Sequence, residues 1–107
     1  MPVTNVTPKE LKAKLDAGEP IKVIDVREDW EVATAHLDFA TNLPMNEIID
    51  RIDEVPKDVP VAIVCHMGAR SAAVAQYLDS LGYKTLNVVG GIDRWSSEVD
   101  PSVPRYH

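Results

Sequence analysis

Three short runs of mainly apolar, β-branched residues stand out along the chain. They cover residues 21–26, 61–64 and 85–89 and contain few charged positions. A half-exposed strand alternates apolar and polar residues, whereas a continuous apolar run of this length is typical of a strand that is buried on both faces. The pattern therefore predicts three interior β-strands.

Segments with helical spacing lie before, between and after these runs. The first follows Thr7, a suitable N-cap, and Glu10 stands three positions later, where it completes a capping box. Leu11 and Leu15 fall on one face of the helix, and Gly18 is expected to end it.

Four further helices are predicted. The first covers residues 29–35. The second begins after Pro44, and its apolar positions recur at helical spacing, at Met45, Ile48, Ile49 and Ile52. The third runs for about ten residues behind the second strand and ends at Gly82, with an apolar face of Val74, Tyr77, Leu78 and Leu81. The last follows Gly90-Gly91, holds Ile92 and Trp95, and leads into an extended tail marked by Pro101 and Pro104.

Alternating strands and helices favour a parallel sheet, because a parallel crossover needs a helix or an equally long connection. We therefore expect an α/β sandwich with a central, mainly parallel sheet and helices on both faces. The length of 107 residues fits a single domain over residues 1–107.

Composition and charge exclude several functional classes. A single cysteine rules out an internal disulfide, a cysteine-rich zinc site and an iron–sulfur cluster. A net charge of −6 with scattered basic residues argues against nucleic-acid binding. The longest apolar run, residues 61–65, is too short to span a bilayer, and residues 1–5 do not resemble a signal peptide. We therefore expect a soluble, cytoplasmic protein that binds neither nucleic acid nor a membrane.

The single cysteine, Cys65, directly follows the most apolar of the predicted strands. In open parallel sheets, ligands bind beyond the carboxyl ends of the strands. Cys65 opens a stretch that leads into the third of the four further predicted helices: Cys65-His66-Met67-Gly68-Ala69-Arg70-Ser71. This placement makes Cys65 the candidate nucleophile.

The residues after Cys65 suit an anionic sulfur. A thiol attacks as the thiolate, and the free amides at the start of a helix favour a negative charge. Gly68 allows a left-handed backbone that can point successive amides inward. Arg70 offers a permanent charge and a planar fork for an oxyanion. Ser71 can donate a hydrogen bond to the sulfur or cap the helix.

This stretch resembles the active-site pattern of the rhodanese family, Cys-x-x-Gly-x-Arg-Ser/Thr. Two flanking segments are also similar to family motifs. Val23-Ile24-Asp25-Val26-Arg27 resembles the first strand of the family, and Gly90-Gly91-Ile92-Asp93-Arg94-Trp95 resembles its Gly-Gly-x-x-x-Trp signature. The ending, residues 96–106, is similar to rhodanese domains fused to some enzymes that activate ubiquitin-like proteins. One departure is that Asp38-Phe39 follows His36-Leu37, whereas the family often has Pro-Gly after His-Ile.

The resemblance implies a sulfurtransferase that carries sulfur as a persulfide on Cys65. The donor would be a small anion such as thiosulfate, and the acceptor cyanide, a thiol or a protein. Cys65 would be catalytic, and the donor would be bound by His66, Met67, Gly68, Ala69, Arg70 and Ser71. His66 and Met67 are expected at the mouth of the pocket, and no metal or organic cofactor is needed.

Other side chains in and near the flanking motifs are expected to stabilise the fold rather than take part in chemistry. Asp25 and Arg27 are interpreted as bracing residues, His36 as a structural histidine, and Trp30 and Trp95 as core or groove aromatics.

Two alternatives remain at this point. A related class of phosphatases uses the longer loop Cys-x5-Arg, whereas four residues separate Cys65 from Arg70 here. That class would also be expected to carry a general acid, for which the sequence offers no candidate. The other alternative is a sulfur-carrier or interaction module that works only with a protein partner.

Overall fold

The computed structural model describes residues 3–106 and contains a five-stranded sheet with helices on both faces. The strands are β1 (Thr4–Val6), β2 (Lys22–Asp25), β3 (Ala40–Asn42), β4 (Val61–Val64) and β5 (Thr85–Val88). The helices are α1 (Pro8–Asp16), α2 (Asp29–Thr34), α3 (Ala69–Ser80) and α4 (Gly91–Glu98). All paired strands are parallel, in the order β1-β5-β4-β2-β3. The predicted α/β sandwich is confirmed.

The three predicted interior strands are β2, β4 and β5. β4 matches its apolar run, whereas β2 is two residues shorter than its run and β5 one residue shorter. The register places Val23 beside Ala62 and Ile24 beside Ile63. Every residue of β4 is buried, as the continuous apolar pattern requires. The capping box of α1 is also present, with Thr7 accepting from the Glu10 amide and Glu10 from the Thr7 amide.

Each face of the sheet has its own apolar cluster. Val61, Ile63 and Cys65 point to the face that α3 covers, together with Val74 and Leu78 of that helix. On the opposite face, one cluster is formed by residues that include Ala62, Val64, Leu11, Ile92 and Trp95. Cys65 thus continues the period-two alternation of β4, which directs its side chain toward the start of α3.

The helix predicted after Pro44 is wrong. The segment forms two short 3-10 turns, Met45–Glu47 and Ile52–Glu54. Two of its four apolar positions face solvent, because Met45 is 39% exposed and Ile49 65%. The Met45 amide donates to Val26 O at 2.9 Å, which ties the start of the segment to the end of β2.

The apolar face predicted for α3 is only half correct. Val74 and Leu78 are buried, but Tyr77 and Leu81 are exposed, and the remaining buried positions are Ser71 and Ala75. This helix turns small residues toward the sheet, which lets it approach β4 and β5 closely. Tyr77 and Leu81 therefore lie beside the buried stripe rather than in it.

Two edge strands, β1 and β3, were not expected. Each has three residues and is partly exposed, so neither carries a strong apolar run. The turn before β3 closes with a hydrogen bond from the Ala40 amide to Leu37 O at 3.1 Å. Within residues 3–106 only glycines have positive φ, so this turn does not need the glycine that the family often has there.

Candidate active site

The position of Cys65 follows from the end of β4 and the start of α3. Cys65 is the residue after β4, and α3 begins four positions later at Ala69. The cysteine is buried, with 1% of its surface exposed, and its thiol is free. The short loop between the two elements therefore wraps around the sulfur.

Gly68 supplies the amide nearest to the sulfur. Its N–H donates to Cys65 Sγ at 2.9 Å. Gly68 is the N-cap of α3 and has φ of 111°, a left-handed backbone conformation that residues with a side chain rarely adopt. The predicted left-handed turn is present, and it aims an amide at the position where negative charge develops on the thiolate.

Ser71 is the second polar group beside the sulfur. Its Oγ lies 3.4 Å from Cys65 Sγ and accepts from the thiol. Its own proton faces two other acceptors, Asn87 Oδ1 at 2.6 Å and Gly68 O at 3.1 Å. Ser71 does not cap α3, because Gly68 holds that position. In this arrangement the Ser71 hydroxyl donates its proton to Asn87 Oδ1 rather than to the sulfur.

The Gly90-Gly91 turn holds the loop from behind. The Ile92 amide donates to Cys65 O at 2.8 Å, and the Asp93 amide donates to His66 O at 3.0 Å. A Cβ on Gly91 would lie 2.3 Å from Cys65 O. The start of α4 therefore fixes the backbone of the nucleophile, and only glycine permits this approach.

Arg70 is held by a buried carboxylate on α2. Its Nη1 and Nη2 donate to Glu31 Oε1 at 2.5 Å and Oε2 at 2.7 Å. These hydrogen bonds lower the pKa of Glu31 to about 2, so the carboxylate stays ionised at neutral pH. Because Glu31 binds the end of the guanidinium, the Nε edge is left for another oxyanion.

Tyr106 joins this ion pair to a second one. Its hydroxyl donates to Glu31 Oε2 at 2.7 Å and accepts from Arg27 Nη1 at 2.9 Å. Arg27 in turn pairs with Asp25 at 2.6 Å, and both of these side chains are buried. Burial raises the pKa of Tyr106 to about 12, so the phenol keeps its proton. The bracing role predicted for Asp25 and Arg27 agrees with these contacts.

The other predicted pocket residues differ in exposure. The His66 ring stacks on Tyr106, with centroids 4.1 Å apart and planes 12° from parallel. Met67 is 65% exposed, and Ala69 is exposed at the first position of α3. Met67 thus lies on the solvent side of the loop, whereas the His66 ring is covered by Tyr106 and its Nε2 is buried.

The predicted aromatic and histidine roles outside the loop are partly correct. Trp95 is buried in the core, whereas Trp30 is 57% exposed and contacts Tyr106 edge to face at 6.0 Å. His36 is exposed and pairs with Asp38 at 2.8 Å.

Three residues of the site were missed by sequence reasoning: Glu31, Asn87 and Tyr106. Glu31 carries a weak local signal, since it completes a capping box with Glu28 at the start of α2. No local pattern assigns a role to Asn87 or Tyr106, because their partners are distant along the chain.

The rest of the described chain offers no comparable site. A groove of about 720 Å³ lies between α1, α4 and the tail. None of its lining residues belongs to the loop of residues 65–68 between β4 and α3, the Cys65 loop. No cluster of three potential metal ligands occurs within residues 3–106. Over the same residues, every helix is too short or too polar to cross a membrane.

Known proteins are similar to this chain in sequence and in architecture. Residues 7–98 match the family described as the rhodanese-like domain, which leaves Tyr106 outside the matched segment. YtwF of Bacillus subtilis, whose name assigns it provisionally to the sulfurtransferases, is 38% identical over 94% of this chain and 98% of its own length. A sulfurtransferase of Allochromatium vinosum is 36% identical over 94% of this chain and 95% of its own.

A solved structure agrees with these relatives. The crystal structure of a rhodanese-like domain protein from Staphylococcus aureus superposes with a TM-score of 0.84 at 34% identity. The alignment covers 98% of this chain and 100% of that one. Together with the match over residues 7–98, this likeness shows that the chain belongs to the rhodanese-like domain family.

Proposed function

We propose that this protein is a sulfurtransferase that moves the outer sulfur of a donor such as thiosulfate to a thiophilic acceptor by way of a persulfide on Cys65. The observation that carries the proposal is the 2.9 Å hydrogen bond from the Gly68 amide to Cys65 Sγ, in a loop at the carboxyl end of the sheet. The Gly68 amide can donate a hydrogen bond to the negative charge both on the Cys65 thiolate and on its persulfide.

The reaction takes place in two displacements. In the first, the Cys65 thiolate attacks the outer sulfur of thiosulfate, the sulfur–sulfur bond of the donor breaks, and sulfite leaves with the bonding electrons. In the second, the acceptor attacks the terminal sulfur of the persulfide, and Cys65 leaves as the thiolate. With cyanide as acceptor the product is thiocyanate. Sulfur is carried by the side chain itself, so the mechanism requires neither a metal nor an organic cofactor.

The acceptor in the cell would be a thiol or a protein. A free, reactive thiol also suits a reducing compartment such as the cytoplasm, where cysteines stay reduced.

Arg70 would bind the oxyanion end of the donor. Glu31 holds the end of the guanidinium, which leaves the Nε edge for the donor, and Arg70 is only half-buried. The ion pair orients Arg70 without using all of its donors.

A phosphatase mechanism is less well supported by the same site. It would require an acid near the loop to protonate the leaving oxygen. The carboxyl that lies closest to Arg70 belongs to Glu31, whose pKa is lowered to about 2 by the hydrogen bonds from Arg70. A group that is fully ionised at neutral pH makes a poor general acid.

Steady-state kinetics test the proposed function. Because sulfite leaves before the acceptor reacts, initial rates measured at several fixed cyanide concentrations should give parallel double-reciprocal lines against thiosulfate. Lines that intersect would instead indicate direct transfer within a ternary complex, without a persulfide.

Arg70→Lys should impair transfer from thiosulfate although it keeps the charge, because lysine has no planar fork for both Glu31 and the donor. We expect kcat/KM to fall by about 5- to 150-fold, the equivalent of about 1–3 kcal/mol. The control is Arg51→Lys, at an exposed ion pair with Glu47 and Glu54. Equal values of kcat/KM for wild type and Arg70→Lys would show that Arg70 does not bind the donor.

A further inference from the structure

The tail after α4 returns to the Cys65 loop and is fixed at two points on the way. Val103 is buried, and its carbonyl accepts from the Ser96 hydroxyl. The Arg105 guanidinium binds Asp93 through two hydrogen bonds of 2.9 Å. The Asp93 amide already holds His66 O, so the tail is attached to the same turn that positions the nucleophile.

Tyr106 ends this path in the active site. Its hydroxyl is the link in a chain of polar contacts that runs Asp25–Arg27–Tyr106–Glu31–Arg70. Since the phenol gives its one proton to Glu31 and accepts from Arg27, it fixes the Glu31 carboxylate through Oε2, the oxygen that also accepts from Arg70 Nη2. Its ring meanwhile stacks on His66, the neighbour of Cys65.

We propose that Tyr106 is a positioning residue for sulfur donors that carry an oxyanion. It acts through Glu31 on Arg70, and the inference rests on the proposed function, in which Arg70 binds the oxyanion. The phenol keeps the Glu31 carboxylate in the geometry that presents the Nε edge of Arg70 to the donor. Tyr106 lies outside residues 7–98, so the matched family segment does not specify it.

This role predicts that the hydroxyl affects one class of donor and not another. Thiosulfate has an oxyanion end for Arg70. The persulfide of 2-mercaptoethanol has none, and it gives up its outer sulfur to Cys65 while the small thiolate leaves with the bonding electrons. Loss of the Tyr106 hydroxyl should therefore weaken the reaction with thiosulfate and leave the reaction with the 2-mercaptoethanol persulfide unchanged.

Tyr106→Phe removes the hydroxyl and keeps the ring that stacks on His66. We expect KM for thiosulfate to rise about three- to tenfold, the effect of one hydrogen bond, with kcat nearly unchanged. The rate of sulfur loading from the 2-mercaptoethanol persulfide should stay within about twofold of wild type. Tyr83→Phe is the matched control, because its hydroxyl contacts Ile52 O near the other end of β5.

A double-mutant cycle shows whether Tyr106 acts through Glu31. Glu31→Gln should also raise KM for thiosulfate, and adding Tyr106→Phe to it should bring little further loss. If Tyr106→Phe lowers the melting temperature, the test is made with Glu31→Gln instead, by comparing its use of thiosulfate with its use of the 2-mercaptoethanol persulfide.

Equal losses with both donors, or fully additive effects in the double variant, would overturn the role of Tyr106. The proposed function fails in a different way. If wild-type protein loads sulfur from neither donor, the persulfide mechanism itself is wrong, and the inference about Tyr106 is overturned with it.

Discussion

Gly91→Ala should remove most of the sulfur-transfer activity and lower the free energy of unfolding by about 2–4 kcal/mol. A Cβ at this position would lie 2.3 Å from Cys65 O and 2.6 Å from His66 O, and both atoms belong to backbone that has little freedom to move. Relief of this overlap must break the hydrogen bonds from the Ile92 and Asp93 amides that hold the loop. Chemical denaturation and the thiocyanate assay measure the two effects.

Gly82→Ala is the control that shows the effect of backbone strain without an overlap with neighbouring backbone. Gly82 has φ of +91°, but a Cβ there meets nothing within 4 Å. This variant should lose only about 1–2 kcal/mol, the cost of a left-handed residue with a side chain, and keep normal activity. If Gly91→Ala were no worse than Gly82→Ala in stability and activity, the turn would not position the nucleophile.

Cys65→Ser should abolish turnover while leaving the fold intact. A hydroxyl oxygen is smaller than sulfur, so the substitution creates no overlap, and the hydroxyl still faces the Gly68 amide and Ser71 Oγ. A serine hydroxyl without a general base is almost entirely protonated at neutral pH, and it does not form the sulfur–sulfur bond of a persulfide. We expect thiocyanate formation to fall on the order of 10³-fold or more.

The melting temperature of Cys65→Ser should be close to that of wild type. Substantial turnover by the folded variant would move the chemistry to another residue. Loss of the fold, by contrast, would show that the buried thiol has a structural role that the hydroxyl does not replace.

The interior of the sheet was predictable because its strands carry a strong and continuous signal. Every residue of β4 is apolar and buried, and the mainly apolar runs at residues 21–26 and 85–89 contain all of β2 and β5. The position of Cys65 follows from it, since the residue after a central parallel strand lies at the edge where ligands bind.

The edges and the segment after Pro44 were less predictable, for reasons of tertiary structure. The strands β1 and β3 are three residues long, and half-exposed edges do not need a long apolar run. Ile49 keeps a helical spacing with its neighbours although it faces solvent, so spacing alone overstated the helix.

Local chemistry indicated part of the site. Gly68 and Arg70 lie within a few residues of Cys65, and their types suit a loop that holds an anion. Glu31 and Tyr106 reach Arg70 only through the fold, since one lies on α2 and the other at the end of the tail. Among 17 acidic residues, no sequence pattern singles out the one that pairs with Arg70.

The intact mass of the protein after treatment with a sulfur donor tests the persulfide on Cys65 most directly. Wild-type protein incubated with thiosulfate should gain the mass of one sulfur atom, and cyanide should remove that mass as thiocyanate forms. Removal by cyanide distinguishes a persulfide from a sulfinic acid, which adds nearly the same mass and is not reversed in this way. Cys65→Ser should gain nothing. Turnover of thiosulfate by wild-type protein without this added mass, or the same added mass on Cys65→Ser, would contradict the mechanism.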